Sequence, residues 1–451
     1  MTSHPTTQPP AAEQALLGRL PEIAPEQLDS LVEVIELVRT GRALTRPELG
    51  RISGLGRSVV SQRLGQAEAL GLVAEAALGP STGGRAPRQL RFRAEAGRFA
   101  CVAFGALHVA VGIHDLAGTL LASRSEDWDI TRGPEESLAR AASILDDLAA
   151  RAGSRSAEGG TAAPCWGVAV GVPGPVEFAT GRPVAPPIMP GWNGFDIRGW
   201  FADPRTGRIP GAPVWADNDV NLMALGEWLR VPGRDSAEML VVKVGSGIGA
   251  GLISSGRVHR GANGAAGDIG HIAVSDQQGV ICRCGQTGCL EAVAGGWALA
   301  RDAEPVAASG ESGFLAARLS SHGVLLPSDI AEGAEAGDPT CVAAVGRSGR
   351  ALGNALAMLV SFYNPSRLVV GGTIAEAGDL FLAAVRQTVY RRSLPLATRE
   401  LQIVPSTVRD QGLLGGYALL AERIFGRGLR AWLPAGSPVA AGRALYDPRA
   451  R

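Results

Sequence analysis

Three cysteines crowd into Cys282-Arg-Cys284-Gly-Gln-Thr-Gly-Cys289, and His271 lies eleven positions upstream of the first. One imidazole and three thiolates suit a closed tetrahedral zinc site, and Gly285 and Gly288 permit the tight turns that would wrap the thiolates round one ion. Four protein ligands leave no position open for a reacting molecule. The expected role of the zinc is therefore structural, pinning the loop that carries His271 and Glu291. Cys101, Cys165 and Cys341 sit apart in apolar stretches, so the cluster favours a metal over disulfides. A second group is acidic. Asp217-Asn218-Asp219 follows an apolar run, Asp268 precedes His271 by three residues, and Glu291 follows Cys289 by two. Short polar side chains at strand ends, framed by glycine, suit a polyhydroxyl ligand, because each hydroxyl wants both a donor and an acceptor.

A third group is basic. The whole chain balances 43 Lys and Arg against 43 Asp and Glu, and lysine occurs once, at Lys243. Between Arg39 and Arg98, however, eleven Arg face four Glu, a local excess of 11 − 4 = +7. A neutral chain with one basic segment points to a polyanion-binding module joined to something else. Thr45-Arg-Pro-Glu48 reads as a capping box with proline inside the first turn, opening a short helix. Gly54-Leu-Gly56 makes a turn, and Arg57 to Leu70 forms a second helix with Val59, Val60, Leu64, Ala67 and Leu70 facing inward. A basic hairpin follows round Gly79 to Arg88, completing the order of a winged helix-turn-helix. Arg57, Ser58, Ser61 and Gln62 are the expected major-groove residues, with Arg85 and Arg88 on the wing.

The rest of the chain must position the acids. At 451 residues, 46% hydrophobic and 19% charged, it supports a large core and several domains. No apolar run reaches the roughly 18 residues of a membrane span. The N-terminus has neither a basic start nor an apolar core of a signal peptide, so a cytoplasmic location is expected. Residues 1–25 are Pro- and Thr-rich and expected to be disordered, and 430–451 reads as a loose tail. From Gly97 strands and helices alternate. Phe99 to His114 and Gly118 to Trp128 read as one hairpin, Cys165 to Val172 and Val214 to Ala216 as buried strands, and Glu238 to Ser254 as a second hairpin. A hairpin-and-helix pattern that occurs twice implies an α/β chain with two related lobes.

Taken together, these segments resemble the ROK family (repressor, open reading frame, kinase) over about residues 26–428. The matching stretches are Gly171-Val-Pro-Gly-Pro175, Pro187-Ile-Met-Pro-Gly-Trp192, Asp217-Asn-Asp219, Gly245-Ser-Gly-Ile-Gly-Ala-Gly251, Gly261-Ala-Asn-Gly-Ala-Ala-Gly267-Asp-Ile-Gly-His271, the cysteine motif through Glu291, and Asn364-Pro365 leading into Gly371-Gly372. The cysteine motif with its upstream Gly-His is the specific part. The basic module is similar to that of the family's NagC/XylR-type regulators. The resemblance implies a winged helix-turn-helix at 26–94 and an actin-like, hexokinase-like ROK domain at 97–428. Lobe one would take 97–216 plus a closing helix at 410–428, and lobe two 217–409. It also implies that Asn218, Asp219, Asp268, His271 and Glu291 contact a sugar, with Gly174 lining the site. His271 would then give one ring nitrogen to zinc and the other to a sugar hydroxyl.

Family kinases carry Asp-x-Gly-Gly-Thr at the first strand turn, where phosphates and Mg²⁺ lie. This chain has Ala103-Phe-Gly-Ala-Leu107 there. Losing such groups commonly costs about 2.7–4 kcal/mol of transition-state stabilisation. The relic of the kinase base, Asp219, remains. The expected function is a sugar-responsive transcriptional regulator, a repressor of carbohydrate-metabolism genes. It would bind double-stranded operator DNA as a homodimer or homotetramer and respond to a sugar or sugar phosphate. The alternatives are an active ATP-dependent sugar kinase carrying a DNA-binding domain, and a regulator controlled by another protein over a vestigial cleft.

Overall fold

Alternation of buried strands with amphipathic helices produces two similar sheets. The computed structural model describes residues 24–78, 88–154, 163–206, 209, 211–232, 238–274 and 280–446. The expected disordered segment therefore lies almost wholly outside the described residues, as does Arg85 of the wing.

The basic segment folds as helices Pro25–Arg39, Arg46–Ser53 and Arg57–Ala69, followed by antiparallel strands β1 (Val73–Leu78) and β2 (Arg88–Phe92). Thr45 Oγ1 accepts from the Glu48 N–H, and Glu48 accepts from the Leu44 N–H at 2.8 Å, so the acid reaches one residue beyond the cap. Gly54 ends the second helix at φ +70°, a conformation that suits glycine. Leu31, Ile35, Leu49 and Leu64, all fully buried, close the core of this unit.

Lobe one contains β3 (Arg98–Phe104), β4 (His108–Asp115), β5 (Leu120–Asp127), β6 (Cys165–Val172), the two-residue strands β7 (Val176–Glu177) and β8 (Arg182–Pro183), and β9 (Val214–Asn218). Lobe two contains β10 (Met239–Val244), β11 (Ile248–Ser254), β12 (Arg257–Val258), β13 (Arg367–Gly371) and β14 (Gln402–Pro405). The main sheets run β5-β4-β3-β6-β9 and β12-β11-β10-β13-β14. In each, the first three strands are antiparallel and the last two join in parallel. The two lobes thus repeat one topology.

Sequence and structure differ in two places. The run Phe99 to His114, expected as one arm of a hairpin, is two strands. The chain reverses at Gly105, whose N–H bonds the His108 carbonyl at 2.9 Å, while apolar residues continue on both sides and hide the break. The segment expected as a loose tail is packed as far as it is described. Trp432, Leu433 and Leu445 are buried, and the Tyr446 hydroxyl accepts from the Val214 N–H at 2.5 Å. A few large apolar residues scattered among Pro, Gly and Arg carry that packing without a periodic signature.

This C-terminal segment ties the winged unit to lobe one. The closing helix, Gln411–Ile424, lies against β3 and β6 and crosses the helix Asp219–Arg230 in backbone contact. A Cβ at Gly415 would stand 1.7 Å from the Leu222 carbonyl oxygen. At the end of the closing helix, Phe425 meets Phe92 edge-on at 5.5 Å and lies under the Arg39 guanidinium at 4.9 Å. The next N–H, of Gly426, bonds Glu36 at 2.9 Å. One hydrophobic cluster runs without a gap from Leu31 and Leu90 through Phe99 and Phe425 to Trp432.

Candidate functional site

The five residues expected to contact sugar, Asn218, Asp219, Asp268, His271 and Glu291, and Gly174, expected to line the site, all line one cleft between the lobes. Asn218 ends β9 and caps the following helix. Its Oδ1 accepts from the Val220 N–H at 2.9 Å, and its Nδ2 donates to the Gly174 carbonyl at 3.0 Å. Asp219 is the first residue of that helix. Glu291 is buried, and its Oε2 accepts from the Ile248 N–H at 3.0 Å. A Cβ at Gly247 would stand 2.3 Å from that oxygen, so glycine is what lets the loop close on the acid. Burial pushes the Asp268 carboxyl up, and His271 nearby pulls it the other way.

Asp217, grouped with these acids by sequence, is turned away. Its Oδ2 accepts two Arg260 bonds at 2.9 and 2.7 Å, and its Oδ1 accepts from the Asn221 amide at 2.9 Å. Arg260 also covers the Phe178 ring at 3.9 Å. This fully used carboxylate braces the strand end that presents Asn218 and Asp219. Sequence reasoning missed Arg260 and, more importantly, Lys243, whose Nζ lies 2.5 Å from Asp219 Oδ2 inside the cleft. The available signal was its rarity: it is the only lysine in the chain.

His271, Cys282, Cys284 and Cys289 bring one ligand atom each to within 4.8 Å of one another. Cys282 Sγ is 3.6 Å from His271 Nδ1, and Cys284 Sγ is 3.7 Å from Cys289 Sγ. Tetrahedral zinc with Zn–S bonds of about 2.3 Å requires ligand edges of about 3.8 Å, so the donor set and spacing fit that ion. Nδ1 faces the thiolates, which leaves Nε2 as the ring nitrogen not directed at the cluster. Arg283 is held beside the cluster on the Trp297 ring at 4.7 Å, with Arg301 at 4.7 Å from the same ring.

In the winged unit Arg57, Ser58, Ser61 and Gln62 are all exposed along the helix Arg57–Ala69. Arg88 is exposed but bonded to Glu75 at 2.5 Å, and Arg46 shares the same acid at 3.1 Å. Several of the eleven arginines counted in this segment do other work. Arg63 is buried and bonds Ser30 at 2.7 Å and Gln66 at 3.0 Å, fastening the first helix to the third. Arg91 and Arg93 pair with Glu95, and Arg39 with Glu36. The exposed arginines of the helices and the connections between them are Arg42, Arg46, Arg51 and Arg57. Among the described residues, no helix is long and apolar enough to cross a membrane.

The chain is similar to both kinases and repressors. A glucokinase of Halalkalibacterium halodurans is 33% identical over 258 residues, covering 57% of this chain and 76% of that one. The xylose repressor of Caldicellulosiruptor bescii is 26% identical over 393 residues, covering 87% of this chain and 94% of the repressor. A solved ROK transcriptional regulator, a homolog of the E. coli MLC protein, superposes with a TM-score of 0.71 at 23% identity, covering 93% of this chain and 98% of that one. The model of the ROK family matches residues 99–424, more than half the chain, and takes in both lobes, the cleft and the cysteine cluster: the chain belongs to the ROK family.

Proposed function

We propose that this protein is a sugar-responsive DNA-binding repressor of carbohydrate genes, with no kinase activity of its own. One observation carries the reading: the winged helix-turn-helix shares one hydrophobic cluster, through the closing helix, with the helix that begins at Asp219 in the acid-lined cleft. The similarity to a repressor over 393 residues, more than the 326 between 99 and 424, extends in the same direction.

Ala103 and Leu107 stand where family kinases keep the metal-organising acid and the phosphate-binding hydroxyl. Ala103 packs against Gly412 of the closing helix, where an added Cβ would approach to 2.7 Å. A position that served a metal now serves helix packing. Asn218, Asp219, Asp268, His271 and Glu291 would hold the sugar hydroxyls, with Gly174 as wall. His271, Cys282, Cys284 and Cys289 would hold a closed four-coordinate zinc, which stiffens the loop behind His271 and Glu291.

Sugar seated on Asn218 and Asp219 would load the helix Asp219–Arg230. That helix touches the closing helix backbone to backbone, and Phe425 at the end of the closing helix packs on Phe92 and Arg39 of the winged unit. A rigid-body shift of the lobes would thereby re-aim the helix Arg57–Ala69. Arg57, Ser58, Ser61 and Gln62 would enter the major groove, and Arg85 and Arg88 the phosphates or minor groove beside it. Two copies would face a pseudo-palindromic operator. The ligand can weaken DNA binding only by its preference for the non-binding arrangement, and a hundredfold change needs about 2.7 kcal/mol.

The test is to select a duplex for the full chain from a random pool, then titrate sugars and sugar phosphates against the complex, with and without Mg-ATP. A ligand-dependent change in affinity without ATP consumption is expected. Unchanged affinity at saturating concentrations of every sugar overturns the reading, and turnover of ATP with any sugar moves the protein to the kinase class.

A further inference from the structure

The sugar acids leave one group in the cleft without a task. Lys243 is the penultimate residue of β10, its side chain 25% exposed, with Nζ on Asp219 and with Gly245 to Gly249 and Ala106 lining the cleft alongside it. The register shows what this position is. Lys243 stands opposite Gly249 on the antiparallel neighbour and Gly371 on the parallel one, as Ala103 stands opposite Ala110 and Gly171 in lobe one. The two are pseudo-equivalent, one at the end of each inner strand, with Lys243 lining the cleft and Ala103 packed under the closing helix. Lobe one has lost the acid that would organise a divalent cation there, and lobe two supplies a fixed cation.

An ammonium has three N–H donors and no acceptor. Asp219 satisfies one, and a neutral sugar would compete for the remainder with water. The pair is neutral as it stands, so an incoming anion meets none of the repulsion that Asp219 alone would present. His108 lies in the same electrostatic neighbourhood, acted on by both Lys243 and Asp219, its ring folded over Gly105 at the first turn. Asp268, His271 and Glu291 line the same cleft and remain as acceptors for hydroxyls. The cleft therefore combines hydroxyl acceptors with one protein cation.

We infer that the ligand of this cleft is an anionic sugar, a phosphate ester or a carboxylate, with its anionic group on Lys243 Nζ. This rests on the sugar-responsive reading and narrows it.

Calorimetry on the zinc-loaded full chain tests it with matched sets: glucose, glucose 6-phosphate and glucuronate, and N-acetylglucosamine with its 6-phosphate. An anionic member is expected to bind at least tenfold more tightly than its neutral partner, with the phosphate and uronate arms separating the two sources. In Lys243→Met the ratio of anionic to neutral affinity should collapse towards one, and Lys243→Arg should keep part of it. Equal or tighter binding of the neutral member in every set overturns the inference and leaves the sugar-responsive reading standing. A preference that survives in Lys243→Met overturns the assignment to this residue. Should Lys243→Met fail to fold, Lys243→Gln decides the matter, and an anionic preference unchanged in that variant overturns the assignment to this residue. No binding by any member of either set overturns the sugar-responsive reading itself.

Discussion

The two lobes carry the same turn and use it differently. In lobe one the inner hairpin turns through Phe104-Gly-Ala-Leu107 and in lobe two through Val244-Gly-Ser-Gly247, each opened by a glycine whose N–H bonds back across the turn. The lobe-two turn is fixed from behind: Glu291 bonds the Ile248 N–H, and Glu291 sits next to the cysteine cluster. The lobe-one turn has no buried acid behind it, and Leu107 is 45% exposed. Topology is held by strand pairing and backbone turns and survives in both. Side-chain chemistry is independent of it and has diverged, to Ala103 in one lobe and Lys243 in the other. A fold shared with kinases therefore says little about phosphoryl transfer until these two turns are read.

The contrast can be broken most directly at the metal. Chelation, or Cys284→Ser, should release zinc and free the loop that positions Glu291 and His271, with the damage confined to lobe two. A structural zinc site contributes several kcal/mol, so the melting temperature should fall by about 10 °C or more, and ligand binding should fall with it. Elemental analysis finding no metal in the wild-type protein, or equal metal in Cys284→Ser, would sink this reading. The next largest effect belongs to the joint with the winged unit. Phe425→Ala removes a fully buried ring shared by Phe92, Phe99 and Arg39 and should cost about 3–5 kcal/mol. It should also split melting into two calorimetric transitions, the winged unit first; one transition at the wild-type temperature would show that Phe425 is not the joint.

The turns themselves come third. Gly247→Ala forces a methyl against Glu291 and should destabilise the protein by about 1–3 kcal/mol, whereas Ala106→Gly at the lobe-one turn should cost less than about 1 kcal/mol. Denaturant midpoints measured side by side check this, and equal costs would mean that the two turns are equally constrained.

Much of this was legible before the structure. The cysteine motif and the helix-turn-helix rest on local spacing, which is what a sequence displays, and the acids that line the cleft were grouped with the help of a family resemblance. Three features were not legible, for physical reasons. The break at Gly105 is hidden because apolar residues flank it on both sides. The packing of Trp432, Leu445 and Tyr446 depends on contacts with β6 and β9 more than two hundred residues away. Asp217 and Asp219 look alike in sequence, but strand-to-helix geometry sends one to Arg260 and the other into the cleft. Charge counting misled for a related reason, because Arg63 is counted like any other arginine although it is buried between helices.

The smallest expected effect sharpens the lobe comparison through pH. His114 stands opposite Phe99 in lobe one, and the equivalent pair in lobe two is Ile253 opposite Met239. Burial pushes the His114 imidazole down to about 4 from an ordinary 6.5, its ring stacks on Tyr417 at 5.7 Å, and Nδ1 has no partner. The folded protein holds this ring neutral while the unfolded chain protonates it below about pH 6.5. Its contribution is therefore complete above that pH and is lost as pH falls towards 4, reaching about 1.4 kcal/mol by pH 5.5. Lobe two carries an isoleucine at this place and has no such loss. Between pH 7 and 5.5 the wild-type protein should lose more stability than His114→Phe by about that amount, read from urea midpoints at each pH. Parallel pH profiles for the two proteins would mean that the imidazole is not held neutral, and that this difference between the lobes carries no acid sensitivity.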